Sequence, residues 1–261
     1  MVTLDDRTQA TEVAMDSENA DQYAKNRAGQ QKMALDLMNR YNRVLDVGCG
    51  TGEITKLMSQ QPGVKSVVGI DLSSDFISFA SKNNAAENVS FHVADASKSA
   101  DFKPEWKGAF TKATCFTVLH WIQDKRSALK NIASCLEPEG ELVINCLLES
   151  GEQMGKLDLP KWKGYLEDFT YGVYPWPNDD IDGMVQLFEE AGFEVLKCQE
   201  QNAPRKSFPT DPEGSKAFMR TMLPQLKFIP TDKQDDYLTD VYWAIIEMTK
   251  HRKIKEVTPT S

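Results

Sequence analysis

The chain has 261 residues, 41% of them hydrophobic and 26% charged, the composition of an ordinary folded protein with room for one large domain. A formal net charge of −9 argues against a nucleic-acid partner, which would want a basic stripe. No apolar run approaches the roughly 20 residues a membrane span needs, and the three histidines, His92, His120 and His251, are too scattered for a metal cluster, so no metal is expected.

Residues 1–18 have neither the basic region nor the apolar region of a secretory signal and read as a disordered tail, as do residues 251–261. A single domain is expected over 19–250. Residues 19–41 carry a helical pattern with Ala34, Leu35 and Met38 on one face. "RVLDVG" then reads as a short buried strand, "EITKLMSQ" as a helix, and "VKSVVGID" as a second strand ending in Asp71. "SDFISFASKNNAA" reads as a helix capped by Ser73 or Ser74. "VSFHVAD" is a third strand ending in Asp95, and "AFTKATCFTV" a fourth. "SALKNIASCLEPEG" is a helix closed by Pro138 and Gly140, and "ELVINCLL" a fifth strand. Residues 149–182 break the pattern with a run dense in Trp, Tyr, Phe and Pro. "DGMVQLFEEAGF" and "EVLKCQEQ" resume it as helix and strand, and two further helical stretches follow.

Five alternations of strand and helix predict an α/β fold, a parallel sheet covered by helices on both faces. Ligands of such sheets bind outside the C-terminal strand ends, where Gly48, Asp71, Asp95 and Thr117 fall. The five cysteines, Cys49, Cys115, Cys135, Cys146 and Cys198, are odd in number and include no C-x-x-C pair. They read as reduced core thiols of an intracellular, cytoplasmic protein. Oligomeric state is not readable.

Gly48, Gly50 and Gly52 follow the first strand with the spacing G-x-G-x-G. Glycine permits positive φ and close approach of a ligand to backbone; a plain turn without a ligand is the alternative. Nicotinamide-binding proteins space these glycines G-x-G-x-x-G, and no second nicotinamide half is visible. Asp71 suits the two hydroxyls of a ribose, or a helix cap. Asp95, or the backbone of Ala96, suits the exocyclic amine of an adenine. Acids at successive strand ends point together to an adenosine ligand.

"VLDVGCGTG", "GIDLS" and "VADAS" resemble the nucleoside-binding motifs of class I S-adenosylmethionine-dependent methyltransferases. The resemblance implies a Rossmann-like, seven-stranded, mostly parallel sheet whose last strand is antiparallel, with a helical and aromatic insertion between strands five and six. It implies a cofactor site of Asp46, Gly48, Cys49, Gly50, Gly52, Asp71, Leu72, Asp95, Ala96 and Thr117. The glycines would lie near the methionine part, Asp71 on the ribose and Asp95 at the adenine. Asp46 would support the loop or meet the ligand amine through water.

"YAKNRAGQQ", "LHWIQD", "KWKGYLEDF" and "FIPTDKQDDYLTDV" resemble juvenile hormone acid methyltransferases and, more distantly, trans-aconitate methyltransferases. That resemblance implies methylation of the carboxylate of a small or terpenoid, farnesoic-acid-like acid, giving its methyl ester and S-adenosylhomocysteine. Trp121 and either Gln30 or Gln31 would lie at the carboxylate. A carboxylate is already ionised at neutral pH and needs no base; His120 would serve as one for an amine or hydroxyl. Equally, His120 and Trp121 would pack sheet against helix. Trp162, Tyr165, Phe169 and Trp176 would wall a substrate pocket, or form a satellite core over the sheet edge. The alternatives are a small-molecule N-methyltransferase and a non-catalytic partner protein that binds S-adenosylmethionine.

Overall fold

A computed structural model describes residues 43–146, 159–167, 169, 174, 176–177, 180–198 and 211–250. Its centre is a sheet of five strands: β1 (Arg43–Val47), β2 (Ser66–Asp71), β3 (Val89–Val93), β4 (Phe110–Phe116) and β5 (Leu136–Asn145). All neighbours run parallel, in the order β3-β2-β1-β4-β5. Parallel strands need crossovers, and helices supply three of the four: α1 (Glu53–Ser59), α2 (Ser74–Asn83) and α3 (Lys125–Cys135), while β3 reaches β4 through two short 3₁₀ turns.

Side-chain alternation sorts the strands into two buried faces. Leu45, Val47, Ile70, Ala113 and Cys115 face one side, where α3 contributes Ala128, Leu129 and Ile132. Val44, Val67 and Phe116 face the other, against Ile54 and Met58 of α1. A strand buried on both sides reads as an unbroken apolar run, which is why "VLDV" lacks polar alternation. The exception is Asp46, 3% exposed. Its carboxylate accepts the hydroxyls of Thr55 (2.6 Å) and Thr114 (2.9 Å), tying β1 to α1 and β4.

The chain winds outward from β1 to β3, then crosses back to β4 on the other side of β1. The switch point therefore lies between the C-terminal ends of β1 and β4.

A second layer joins a 3₁₀ turn at Pro160–Tyr165, α5 (Pro212–Met222), a 3₁₀ turn at Pro224–Phe228 and α6 (Gln234–Lys250) around Trp162, Met219, Leu223, Tyr237 and Leu238. A further helix, α4 (Ile181–Glu190), returns to the sheet, placing Leu187 and Phe188 in the main core. No helix among the described residues is long and apolar enough to cross a membrane.

Two expectations change. The helix expected to reach Gly140 stops at Cys135, and the fifth strand begins at Leu136 with a register irregularity opposite Phe110–Lys112. Pro138 disfavours helical backbone at Glu137, and extended chain can pair with β4 at once. Of residues 194–201, expected as a sixth strand, the described part, 194–198, forms no ladder, and Leu196 is 80% exposed. An extended segment becomes a strand only with a neighbour to bond, and none of the described residues provides one. The described sheet thus has five parallel strands, without the antiparallel last one. The tails, the N-terminal helical stretch and both Gln30 and Gln31 lie outside the described residues.

Candidate active site

The C-terminal strand ends are bonded into one rim. The N–H groups of Gly48 and Cys49 donate to the Ile70 carbonyl (2.8 and 2.9 Å), which brings the glycine loop over β2. Gly50 N–H donates to Asp71 Oδ2 (2.8 Å), and Ser73 N–H to Asp71 Oδ1 (2.9 Å). Ala94 N–H continues the rim by donating to the Asp71 carbonyl (3.0 Å). Asp71 thus holds the loop through one carboxylate oxygen and the start of α2 through the other, and Ser73, not Asp71, caps α2 by accepting from Phe76 N–H.

All three glycines are left-handed: Gly48 at φ 71°, Gly50 at 55° and Gly52 at 84°. Their neighbours explain two of them. A Cβ on Gly48 would lie 2.1 Å from Val118 Cγ2, and one on Gly52 would lie 2.7 Å from Phe91 Cζ. The absent side chains therefore admit the protein's own residues, Val118 from beyond β4 and Phe91 from β3. Cys49 between them is 2% exposed.

Asp95 accepts the backbone N–H (2.9 Å) and hydroxyl (2.7 Å) of Ser97 and pairs with Lys98. Ala96 is buried and its carbonyl accepts from Asn131 (3.0 Å). Leu72, 44% exposed, and Val93, 53% exposed, leave an apolar surface beside the two acids. At the end of β4, Thr117 takes φ 60°, unusual for a β-branched residue. Its N–H donates to Asn145 (2.6 Å), and the turn delivers Val118 onto Gly48.

Past that turn, a short 3₁₀ segment at Leu119–Trp121 carries His120 and Trp121, with ring centroids 5.4 Å apart. Trp121 is half-buried; His120 is 2% exposed. Burial, then the charge of Lys125, pushes the imidazole down to about 4, so it is neutral at pH 7.

A half-buried carboxylate on the rim and an exposed leucine beside it suit a nucleoside that offers hydroxyl donors and an apolar ring. That fit has relatives behind it. The family model described as a methyltransferase domain matches residues 16–198. The chain belongs to that family. It is an S-adenosylmethionine-dependent methyltransferase with a Rossmann-like fold. The methyltransferase is 28% identical over 202 residues to juvenile hormone acid O-methyltransferase of Bombyx mori, spanning 69% of this chain and 70% of that one. Over 229 residues it is 31% identical to trans-aconitate 2-methyltransferase of Agrobacterium fabrum, spanning 74% and 87%. Among solved structures it resembles phosphoethanolamine N-methyltransferase 2 of Haemonchus contortus in complex with S-adenosyl-L-methionine. The TM-score there is 0.62 at 16% identity, across 90% of this chain and 54% of that one.

The aromatic residues fall elsewhere in the methyltransferase. Trp162 is 1% exposed in the second cluster, edge-on to Tyr237, with its indole N–H donating to Asp240 (2.8 Å). Tyr165 packs beside it, accepting from Lys233 (2.7 Å), and Phe169 meets Phe228. Trp176 is 3% exposed in the main core against Phe188. Trp162 is thus packed in the second cluster and Trp176 in the main core.

Sequence reasoning missed Val118 and Lys125. An apolar residue following the fourth strand was the available sign of Val118. Lys125 opens a helix and reads there as a solvated face, yet it is 4% exposed and burial holds its ammonium down to about 8.

Proposed function

We propose that this methyltransferase acts on the carboxylate of a small or terpenoid acid and produces its methyl ester. When bound, S-adenosylmethionine supplies a methyl group on a positively charged sulfur. An ionised carboxylate oxygen accepts it without losing a proton. The observation that carries this reading is the burial of His120, which is 2% exposed beside Trp121. It neighbours Trp121, where the acceptor is assigned, yet its imidazole is held near 4. A base that weak cannot strip an ammonium or a hydroxyl at neutral pH, whereas a carboxylate needs no base. The resemblance to enzymes named for juvenile hormone acid and trans-aconitate adds support.

In this reading the glycine loop positions the donor with Asp71 on the ribose and Asp95 at the adenine. Asp46 acts indirectly, through Thr55 and Thr114. Trp121, with Gln30 or Gln31, holds the carboxylate in line and limits water. The resemblance to class I methyltransferases also supports a seven-stranded sheet with an antiparallel last strand, beyond the five strands of the described residues, in a single domain over 19–250.

The test supplies the purified chain with methyl-labelled S-adenosylmethionine and farnesoic acid, trans-aconitate or phosphoethanolamine in turn. An alkali-labile label on one of the acids is expected. An alkali-stable label on the amine, with none on either acid, would replace this reading with N-methylation.

A further inference from the structure

The ammonium of Lys125 takes no part in the chemistry above, yet it is the most unusual charge near the end of β4. Its Nζ donates to two backbone carbonyls, Ile122 at 2.9 Å and Tyr174 at 2.9 Å, residues far apart in the chain. It also lies 5.6 Å from the centroid of the Tyr174 ring and 5.4 Å from that of Trp176. Among the described residues no carboxylate pairs with it; the adjacent Asp124 instead caps α3 by accepting from Ser127 N–H. A desolvated ammonium without a counter-ion is costly unless its protons are satisfied and π faces surround it. Two carbonyls and two aromatic rings meet that condition. A hydrophobic residue could not bond the carbonyls, and a carboxylate could not donate to them.

Tyr174 is held a second time. Its own N–H donates to the His120 carbonyl at 2.8 Å. The chain stays fixed beyond it: Trp176 packs on Phe188, and the Pro177 carbonyl lies 1.8 Å from where a Cβ on Gly183 would stand. Tyr174, Trp176 and Pro177 therefore form a seam joining the β4 turn to α4. Lys125 is the single side chain that touches both the turn and Tyr174 through hydrogen bonds among the described residues.

We propose that Lys125 is a positioning residue for the acceptor side: its ammonium fixes Tyr174 and Trp176 against the Leu119–Ile122 turn that carries Trp121. The proposal rests on the reading of Trp121 as an acceptor residue. The donor rim at β1, β2 and β3 lies outside this seam, so the two halves of the site separate in their response. Removing the ammonium loosens the acceptor side and leaves the donor side as it was.

The experiment compares the full-length wild type with Lys125→Met in three measurements: amide hydrogen exchange at Tyr174, S-adenosylhomocysteine affinity by calorimetry, and steady-state methylation of farnesoic acid. Exchange at Tyr174 should accelerate at least tenfold while S-adenosylhomocysteine affinity stays within twofold. KM for farnesoic acid should rise at least tenfold with kcat within about threefold, a split that a general loss of structure would not give. Lys125→Arg, which keeps the cation and its donors, should restore part of the protection. Unchanged protection at Tyr174 in Lys125→Met overturns the proposal, and so does an equal loss of donor affinity. Should Lys125→Met not fold, Lys125→Gln, whose amide can serve only part of the pair, is read by the same outcomes. The exchange measurement decides the role of Lys125 whether or not farnesoic acid is a substrate, so a failed carboxylate reading and a failed positioning role are told apart.

Discussion

At Gly48 a single methyl group would meet Val118 from 2.1 Å, on a backbone already at φ 71°. Gly48→Ala should therefore destabilise the protein by about 2–4 kcal/mol, combining overpacking with left-handed strain. Adding Val118→Ala should return part of that loss, measured as a coupling energy in a double-mutant cycle of chemical denaturation. Additive losses would show that the two residues do not meet. Asp71 carries a different kind of load, since it bonds Gly50 and Ser73 and is the residue assigned to the ribose. Asp71→Asn should weaken S-adenosylhomocysteine binding by about 1–3 kcal/mol, roughly 5- to 150-fold, and calorimetry checks it. Trp121→Ala should lower kcat/KM for ester formation by about 10–100-fold with donor affinity unchanged, since a lost hydrogen bond to a charged group is of that order. Equal loss of both would remove Trp121 from the acceptor side.

The turn after β4 makes its own prediction, because His120 is buried in it. Its folded imidazole sits near 4, whereas an unfolded one takes a proton below about pH 6.5. Between pH 6.5 and 4 the unfolded state binds more protons, so stability falls as pH drops through that window and levels off beneath it. The full effect is about 3 kcal/mol. His120→Gln should flatten the pH dependence of the denaturation midpoint in that window, while His92 contributes alike to both proteins. An unchanged slope would show that His120 is open to protonation in the folded state. The same turn shows why elements were unequally legible. β1 to β4 follow from apolar runs closed by turn residues, and their ends stand within two residues of the expected positions. The fifth strand began early because Pro138 ended a helix whose periodicity ran on.

For the molecule as a whole, the donor should bind the folded state in preference to the unfolded one. At about 100 times its dissociation constant, S-adenosylhomocysteine should add about 2.7 kcal/mol, a rise of roughly 5–10 °C in midpoint for a domain of this size. A thermal scan without and with the ligand checks this, and no shift would remove the rim from consideration as the donor site.

The sequence by itself determined the parallel α/β core and where its first four strands end, because both are written in local patterns: apolar runs, turn glycines and acids at fixed offsets. Only the tertiary structure decided what fills the space beside Gly48 and Gly52, and that Trp162, Trp176 and Lys125 are buried. Each depends on residues distant in the chain meeting in space: Gly48 with Val118, Trp162 with Tyr237, Lys125 with Tyr174. No local period records such meetings, since close packing is a property of the assembled interior and not of any one segment.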